Sequence, residues 1–325
     1  MRTQETASAI TPWPVGLFGS AMGLAGLSLA WRLAAQAALA PRWMGDALAV
    51  VAWAVFFLQS AVQLRRARYA REAWLAELRH PATQPFAGTF WISVLLLPML
   101  LPEAVASLAR GMWLAGVAGM TVFAWWSLSR WLSGGQEEAH VGPAWLIPVV
   151  GLLDIPLAYP ALGGSSLREA MVFATAAGLV LGLPLLALVF ARLMLRPSSP
   201  QPALLILLAP FSVGFSAWVA VTGTVDTFAR SLFYLAVFLL AVLLPRVYAM
   251  VRERPFEFSW WALSFPLAAT AVAAQRYAAA WPSTPGRIAA FSLLALSTLA
   301  IGALLGLSLR TIVRSRALRA VPAPP

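Results

Sequence analysis

The strongest constraint on the fold is a series of ten apolar stretches separated by short polar segments. A helix needs about 20 mostly apolar residues to cross the hydrocarbon core of a bilayer. We therefore predict membrane-spanning helices near 13–32, 45–64, 84–102, 105–129, 143–162, 170–191, 203–224, 228–250, 259–278 and 288–310. The segments between them leave no room for a soluble domain, so the prediction is one all-α transmembrane domain over residues 1–325.

Composition excludes several classes of function. Hydrophobic residues make up 61% of the chain and charged residues 11%, whereas soluble domains carry about 25% charged residues. Cysteine is absent, and the two histidines, His80 and His140, lie in polar segments. No buried nucleophile with a neighbouring base, and no metal-binding cluster, is expected from these residues. We predict a protein that is not an enzyme and that uses no metal and no cofactor.

The distribution of the arginines along the chain indicates which segments face the cytoplasm. The net charge of +11 would suit a nucleic-acid partner, but the 23 basic residues, all arginine, lie mainly between apolar stretches. If both termini are cytoplasmic, 16 of the 23 arginines lie on the cytoplasmic side, including the Arg65–Arg79 segment. This asymmetry agrees with the positive-inside rule. We therefore expect no nucleic-acid binding, no cleaved signal peptide and a location in a bacterial inner membrane. Arg276 is assigned to the opposite side, and no arginine is expected to form a fixed cationic site within a span.

Interior prolines are concentrated in the odd-numbered spans, although the first span has only Pro14 at its start and the sixth span contains Pro184. A proline within a helix frees a backbone carbonyl, which in a membrane needs a protein or water partner. Helices with interior prolines therefore belong inside a bundle, and straight helices suit the lipid. This pattern predicts five helical hairpins, with five inner odd helices around a central pore and five outer even helices. Alternatively, the prolines only shape an irregular packed bundle. The prolines concerned are Pro98, Pro148, Pro156, Pro210 and Pro266.

Small and aromatic residues also concentrate in the odd spans. Small residues usually mark close contact between membrane helices, but around a passage they would also leave backbone accessible. These candidates for close contact or pore lining are Gly19, Gly23, Phe90, Phe211, Gly214 and Phe215.

Asp154 lies in the middle of the fifth predicted span. An ionisable residue within a membrane is a functional candidate by default. Asp154 is either a proton-coupling group or a structural partner for a serine or arginine of a neighbouring helix, and the sequence favours neither.

Three segments resemble the tellurite-resistance/C4-dicarboxylate transporter family, which includes plant slow-type anion channels. They are HPATQPFAGTFWISVLLLP (80–98), LAPFSVGFSAWV (208–219) and PFEFSWWALSFPLAA (255–269). The resemblance implies a homotrimer in which each protomer has its own pore, lined by the five odd helices. It also implies a phenylalanine of the ninth helix that blocks the pore, which corresponds to Phe265.

Two functions follow as hypotheses. The first is an anion channel that passes small anions, such as chloride, nitrate, a dicarboxylate or an oxyanion, across the lipid bilayer. The second is a proton-coupled secondary transporter that exports C4-dicarboxylates, sulfite or tellurite-type oxyanions and uses Asp154.

Overall fold

The computed structural model describes residues 13–38, 40–196 and 201–320, with side chains described as far as Arg314. The predicted location of both termini concerns ends of the chain that lie outside the described residues. Helices occupy all ten predicted places, and the described residues form no strand. The helices are α1 Val15–Gln36, α2 Arg42–Tyr69, α3 Gln84–Leu100, α4 Glu103–Leu132, α5 Pro143–Leu162, α6 Ser165–Leu195, α7 Pro202–Thr222, α8 Thr227–Glu253, α9 Phe258–Leu263 continued by Ser264–Ala280, and α10 Thr284–Ala320.

The prediction of an all-α membrane protein is confirmed, but length and apolarity support fewer than ten spans. Within the described residues, eight helices are long and apolar enough to cross a membrane. A ninth candidate is α3 together with the short connecting helix Arg71–Arg79, and these two are bent by 107° relative to each other. Helix α9 is absent from this set, because its serines, Gln275 and Arg276 dilute its apolar residues.

Burial alternates along the chain. In α1, α5 and α7, 78% of the most apolar stretch is buried inside the protein, against 22–33% in α2, α4, α6, α8 and α10. In α9 every residue from Ser264 to Gln275 is buried, and most of α3 is buried as well. Apolar side chains that face outward on the less buried helices suit a lipid environment.

The buried helices contact one another in a closed ring. Helix α1 packs against α3, α3 against α5, α5 against α7, α7 against α9, and α9 against α1. Each of them also packs against the next helix in the chain, α2, α4, α6, α8 or α10. We call α1, α3, α5, α7 and α9 the inner helices.

Serine and tryptophan side chains tie the inner helices to their neighbours. The Ser264 hydroxyl donates to the Gly19 carbonyl at 3.1 Å and so joins α9 to α1. Ser93 of α3 donates to the Phe18 carbonyl of α1 at 3.3 Å, and the Trp113 indole of α4 donates to the Ile155 carbonyl of α5 at 3.0 Å. These bonds satisfy backbone carbonyls within the protein, as a low-dielectric environment requires.

The interior prolines coincide with changes of helical winding. Pro98 lies in the 3₁₀ turn Leu97–Leu100, and Pro156 lies within the 3₁₀ segment Gly151–Ala158. Pro210 and Pro266 each lie just after the point where a 3₁₀ segment passes into an α-helix. Because proline lacks the donor of an i→i−4 bond, the tighter 3₁₀ pattern beside it is a ready alternative.

Candidate functional site

A narrow cavity of about 30 Å³ lies between the five inner helices. All five inner helices line it, and the lining is almost wholly apolar. We call it the inner cavity. Its lining residues are Gly16, Gly19, Met22, Phe86, Thr89, Ile92, Ile147, Val150, Gly151, Asp154, Ile206, Ala209, Ala262, Phe265 and Pro266.

Phe265 is part of the inner-cavity wall and is 5% exposed. A Cβ atom placed on Gly26 of α1 would lie 3.5 Å from Cδ2 of the Phe265 ring. The ring therefore fills the space between α9 and α1, one and a half to two turns beyond Gly19 along α1. The Phe265 ring thus lies between the inner cavity and the α1 backbone at Gly26.

A second cavity, of about 410 Å³, adjoins the inner cavity at the face that carries the connecting helix. The two cavities share Gly16, Phe86 and Ala262 in their walls. We call the second cavity the vestibule and its face of the protein the near face. The two cavities are therefore adjacent, and we call them together the passage.

Glu77, which lines the vestibule, forms an ion pair with Arg66 behind it. The Arg66 Nη2 atom lies 2.6 Å from Oε2 of Glu77, and the Arg66 Nη1 atom donates to the Trp13 carbonyl at 2.8 Å. Glu77 Oε1 in turn accepts a hydrogen bond of 2.7 Å from the Val15 amide at the start of α1. A carboxylate at a helix N-terminus is favourable, and pairing with Arg66 offsets the repulsion that Glu77 would exert on an anion in the vestibule.

Asp154 is 1% exposed and lines the inner cavity together with Phe265. Neither of its carboxylate oxygens has a hydrogen-bond partner among the described residues. A structural role would need such a partner, because burying an unpaired polar group is costly. The carboxyl group is therefore available to bind a proton, or to contact a water molecule or an ion, in the inner cavity.

The histidines meet at the near face, although they are 60 residues apart in the chain. The His80 and His140 rings lie 5.2 Å apart, centroid to centroid. His140 and Arg192 line a third cavity of about 210 Å³. No group of three potential metal ligands forms in the part of the chain that the structure describes. On the same face, a hydrogen bond from Arg196 lowers the pKa of the exposed Glu138 carboxyl.

Four of the sequence-predicted site residues line the inner cavity: Gly19, Asp154, Phe265 and Pro266. Gly23 lies beside Ser264, where any side chain would collide, so its role is close contact between α1 and α9. Phe90 faces away from the axis, with its ring centroid 5.1 Å from that of Phe18 and 5.8 Å from that of Phe56 on α2.

The remaining candidates also lie outside the inner-cavity wall. Phe215 is fully buried, and its centroid lies 6.0 Å from that of Phe233 on α8. A Cβ atom on Gly214 would lie 2.8 Å from the Leu179 side chain of α6. Helical periodicity turns these α7 residues toward outer helices, which the sequence pattern alone did not reveal. Five more of the sequence-predicted residues are likewise absent from the inner-cavity wall: Pro98, Pro148, Pro156, Pro210 and Phe211.

Most lining residues escaped the sequence prediction, because they are ordinary apolar residues such as Ile92, Val150 and Ile206. Helical periodicity could have identified some of them, because residues three or four positions from Phe265 on α9 or from Asp154 on α5 lie on the same helix face. Val150 and Gly151 precede Asp154 by four and three residues and share its face.

Helices with apolar outward faces, packed around a ring of inner helices with a central apolar cavity, define a helical membrane protein. A family model described as SLAC1, voltage-dependent anion channel, matches residues 13–312. The chain belongs to this family, and the family predicted from the sequence is confirmed.

The chain is similar to both plant and microbial members. It is 28% identical over 318 residues to the S-type anion channel SLAH3 of Arabidopsis thaliana, covering 94% of this chain and 49% of the relative. It is 29% identical over 270 residues to a tellurite resistance protein TehA homolog of Haemophilus influenzae, covering 82% and 81%. It is 30% identical over 228 residues to an uncharacterized transporter of Methanocaldococcus jannaschii, covering 63% and 66%. The chain thus spans about half the length of the plant relative.

Proposed function

We propose that this protein is an anion channel whose pore is the axis of the inner helices and whose gate is Phe265. The observation that carries the proposal is the apolar inner cavity, which is lined by all five inner helices, adjoins the vestibule and has Phe265 in its wall. Hydrophobic constrictions gate channels by excluding water, and a rotamer change of one ring would wet this one.

The interior of the passage favours rapid transit over tight binding. The inner-cavity wall contains no basic residue among those described. Positive partial charge at ring edges offers anions only weak stabilisation. Weak binding suits conduction, because a tightly held ion does not leave.

A proton-coupled carrier is the second candidate, and Asp154 is the observation that favours it. A buried carboxyl without a partner, on the wall of the passage, is suited to exchange a proton with a passing oxyanion. In a channel the same group acts differently. When ionised it repels anions, and when neutral it offers them one hydrogen bond.

The arrangement in the membrane belongs to the same proposal. We propose ten spans in five hairpins, with the inner helices around the pore and both termini and the near face on the cytoplasmic side of a bacterial inner membrane. We further propose a homotrimer with one pore in each protomer. Alternating burial and the arginine asymmetry support the topology, and the trimer rests on the family resemblance.

The test is a planar-bilayer recording of the purified protein with and without the Phe265→Ala substitution. Chloride, nitrate, malate and sulfite are exchanged in turn at constant pH on both sides. Anion current without a pH gradient, with reversal potentials that follow the anion gradient, is the expected result. Electrically silent uptake that needs a pH gradient would instead identify the carrier.

A further inference from the structure

Arg276 lies on the gate-bearing face of α9, on the far side of the gate. Eleven residues separate it from Phe265, which at 100° per residue places the two side chains only about 20° apart around the helix. The same interval corresponds to a rise of about 16 Å along the helix. Phe265 lines the inner cavity, and helical periodicity directs Arg276 to the same side of α9, close to the helix end at Ala280.

The charge of Arg276 is not neutralised within the described part of the protein. Its Nη1 atom donates to the Ser216 carbonyl of α7 at 3.3 Å, and a carbonyl carries no net charge. By contrast, Arg32 of α1 is paired with Asp46 at 2.9 Å. Arg230 lies over the Trp281 ring, 4.8 Å from its centroid. The Arg276 side chain is intermediate in exposure, between the buried Gln275 and the exposed Ala279.

We propose that Arg276 forms an anion-binding site at the exit of the pore, selective for planar oxyanions such as nitrate or the carboxylate of a small organic acid. The Ser216 carbonyl orients the guanidinium between α7 and α9 by engaging Nη1. The remaining N–H donors of the guanidinium are in a planar fork that matches two oxygens of one anion. The inference rests on the proposed function, because it assigns a place on the same route.

This site complements the weakly binding interior. An anion that passes Phe265 leaves an apolar region and meets a fixed positive charge, which lowers its energy on the far side of the constriction. Partial exposure keeps the attraction moderate, since solvent screens it. The charge therefore draws anions through the gate without retaining them.

The test measures anion binding separately from conduction. Thermal unfolding of the purified protein in detergent is followed in nitrate, in chloride and in a large sulfonate anion at equal ionic strength. The variants are Arg276→Gln, Arg276→Lys and the control Arg168→Gln, which removes an arginine that is 59% exposed and lies at the start of α6. Occupancy of one site at ten times its Kd raises the midpoint of unfolding by roughly 2–4 °C.

The expected result, in the wild type and in Arg168→Gln, is a rise in both anions that is larger in nitrate than in chloride; Arg276→Gln should lose it. Arg276→Lys keeps the charge without the fork, so it should retain the chloride response and lose the preference for nitrate. An unchanged nitrate response in Arg276→Gln overturns the proposal. If Arg276→Gln fails to fold, an unchanged nitrate preference in Arg276→Lys overturns it equally.

Currents separate this inference from the proposed function. In a Phe265→Ala background, Arg276→Gln should lower the permeability of nitrate relative to chloride by about tenfold, a change of about 1.4 kcal/mol. If the background conducts and the permeability ratio is unchanged, the exit site is wrong and the channel stands. If the background is silent and the nitrate response still depends on Arg276, the gate is wrong and the exit site stands.

Discussion

Replacing Phe265 by alanine should open the channel without unfolding it. The ring is 5% exposed, with α1 at Gly26 on one side and the inner cavity on the other. Truncating a phenylalanine surrounded on all sides costs about 3–5 kcal/mol of stability. Because one side of Phe265 already faces a cavity, we expect about half of that cost, roughly 2 kcal/mol.

Phe215→Ala is the matched control. Phe215 also lies on an inner helix, but it is fully buried and its ring packs toward Phe233 of α8. Its truncation should cost the full 3–5 kcal/mol and leave the passage closed. The two substitutions remove the same atoms, so they separate loss of packing from loss of a gate.

The assay is macroscopic anion current at equal amounts of folded protein, together with the midpoint of thermal unfolding. Phe265→Ala should raise the current at least tenfold, which corresponds to a barrier lowered by about 1.4 kcal/mol. Phe265→Leu keeps much of the bulk and should raise it less. The assignment of the gate is refuted if Phe265→Ala destabilises the protein as much as Phe215→Ala does and leaves the current at background.

Three further predictions concern Asp154, topology and assembly. In the Phe265→Ala background, Asp154→Asn should remove the dependence of the current on pH, because Asp154 is the only titratable group on the inner-cavity wall among the described residues. If current recordings still show a pH dependence, another group is responsible for it. A cysteine in place of Arg71, which is exposed on the connecting helix, should resist an impermeant thiol reagent added to intact cells and react after permeabilisation. Reaction in intact cells would reverse the topology, and the absence of native cysteine keeps this assay clean. Native mass spectrometry in mild detergent should show three copies, and a uniformly monomeric protein that still conducts would contradict a need for the trimer.

The sequence located the site only in part, and particular residues show why. Phe265 and Asp154 were identified because an aromatic residue before a proline and a carboxylate within an apolar stretch are conspicuous. Phe90 and Phe215 were candidates for the same reason, yet their rings pack against α2 and α8. Arg276 was placed with the far-side arginines, although it lies within α9 on the gate-bearing face.

The sequence by itself determined the helical places, the class of protein and the family. These follow from the lengths of apolar stretches and from short motifs, which are local properties of the chain. Only the tertiary structure decided which faces of the inner helices meet at the axis, that Asp154 has no partner among the described residues, and that Arg276 lies beyond Phe265. In a chain that is 61% hydrophobic, the identity of an apolar residue does not tell whether its side chain faces lipid, a neighbouring helix or the inner cavity. The rotation of each helix is set by contacts between distant segments, such as Ser264 with Gly19.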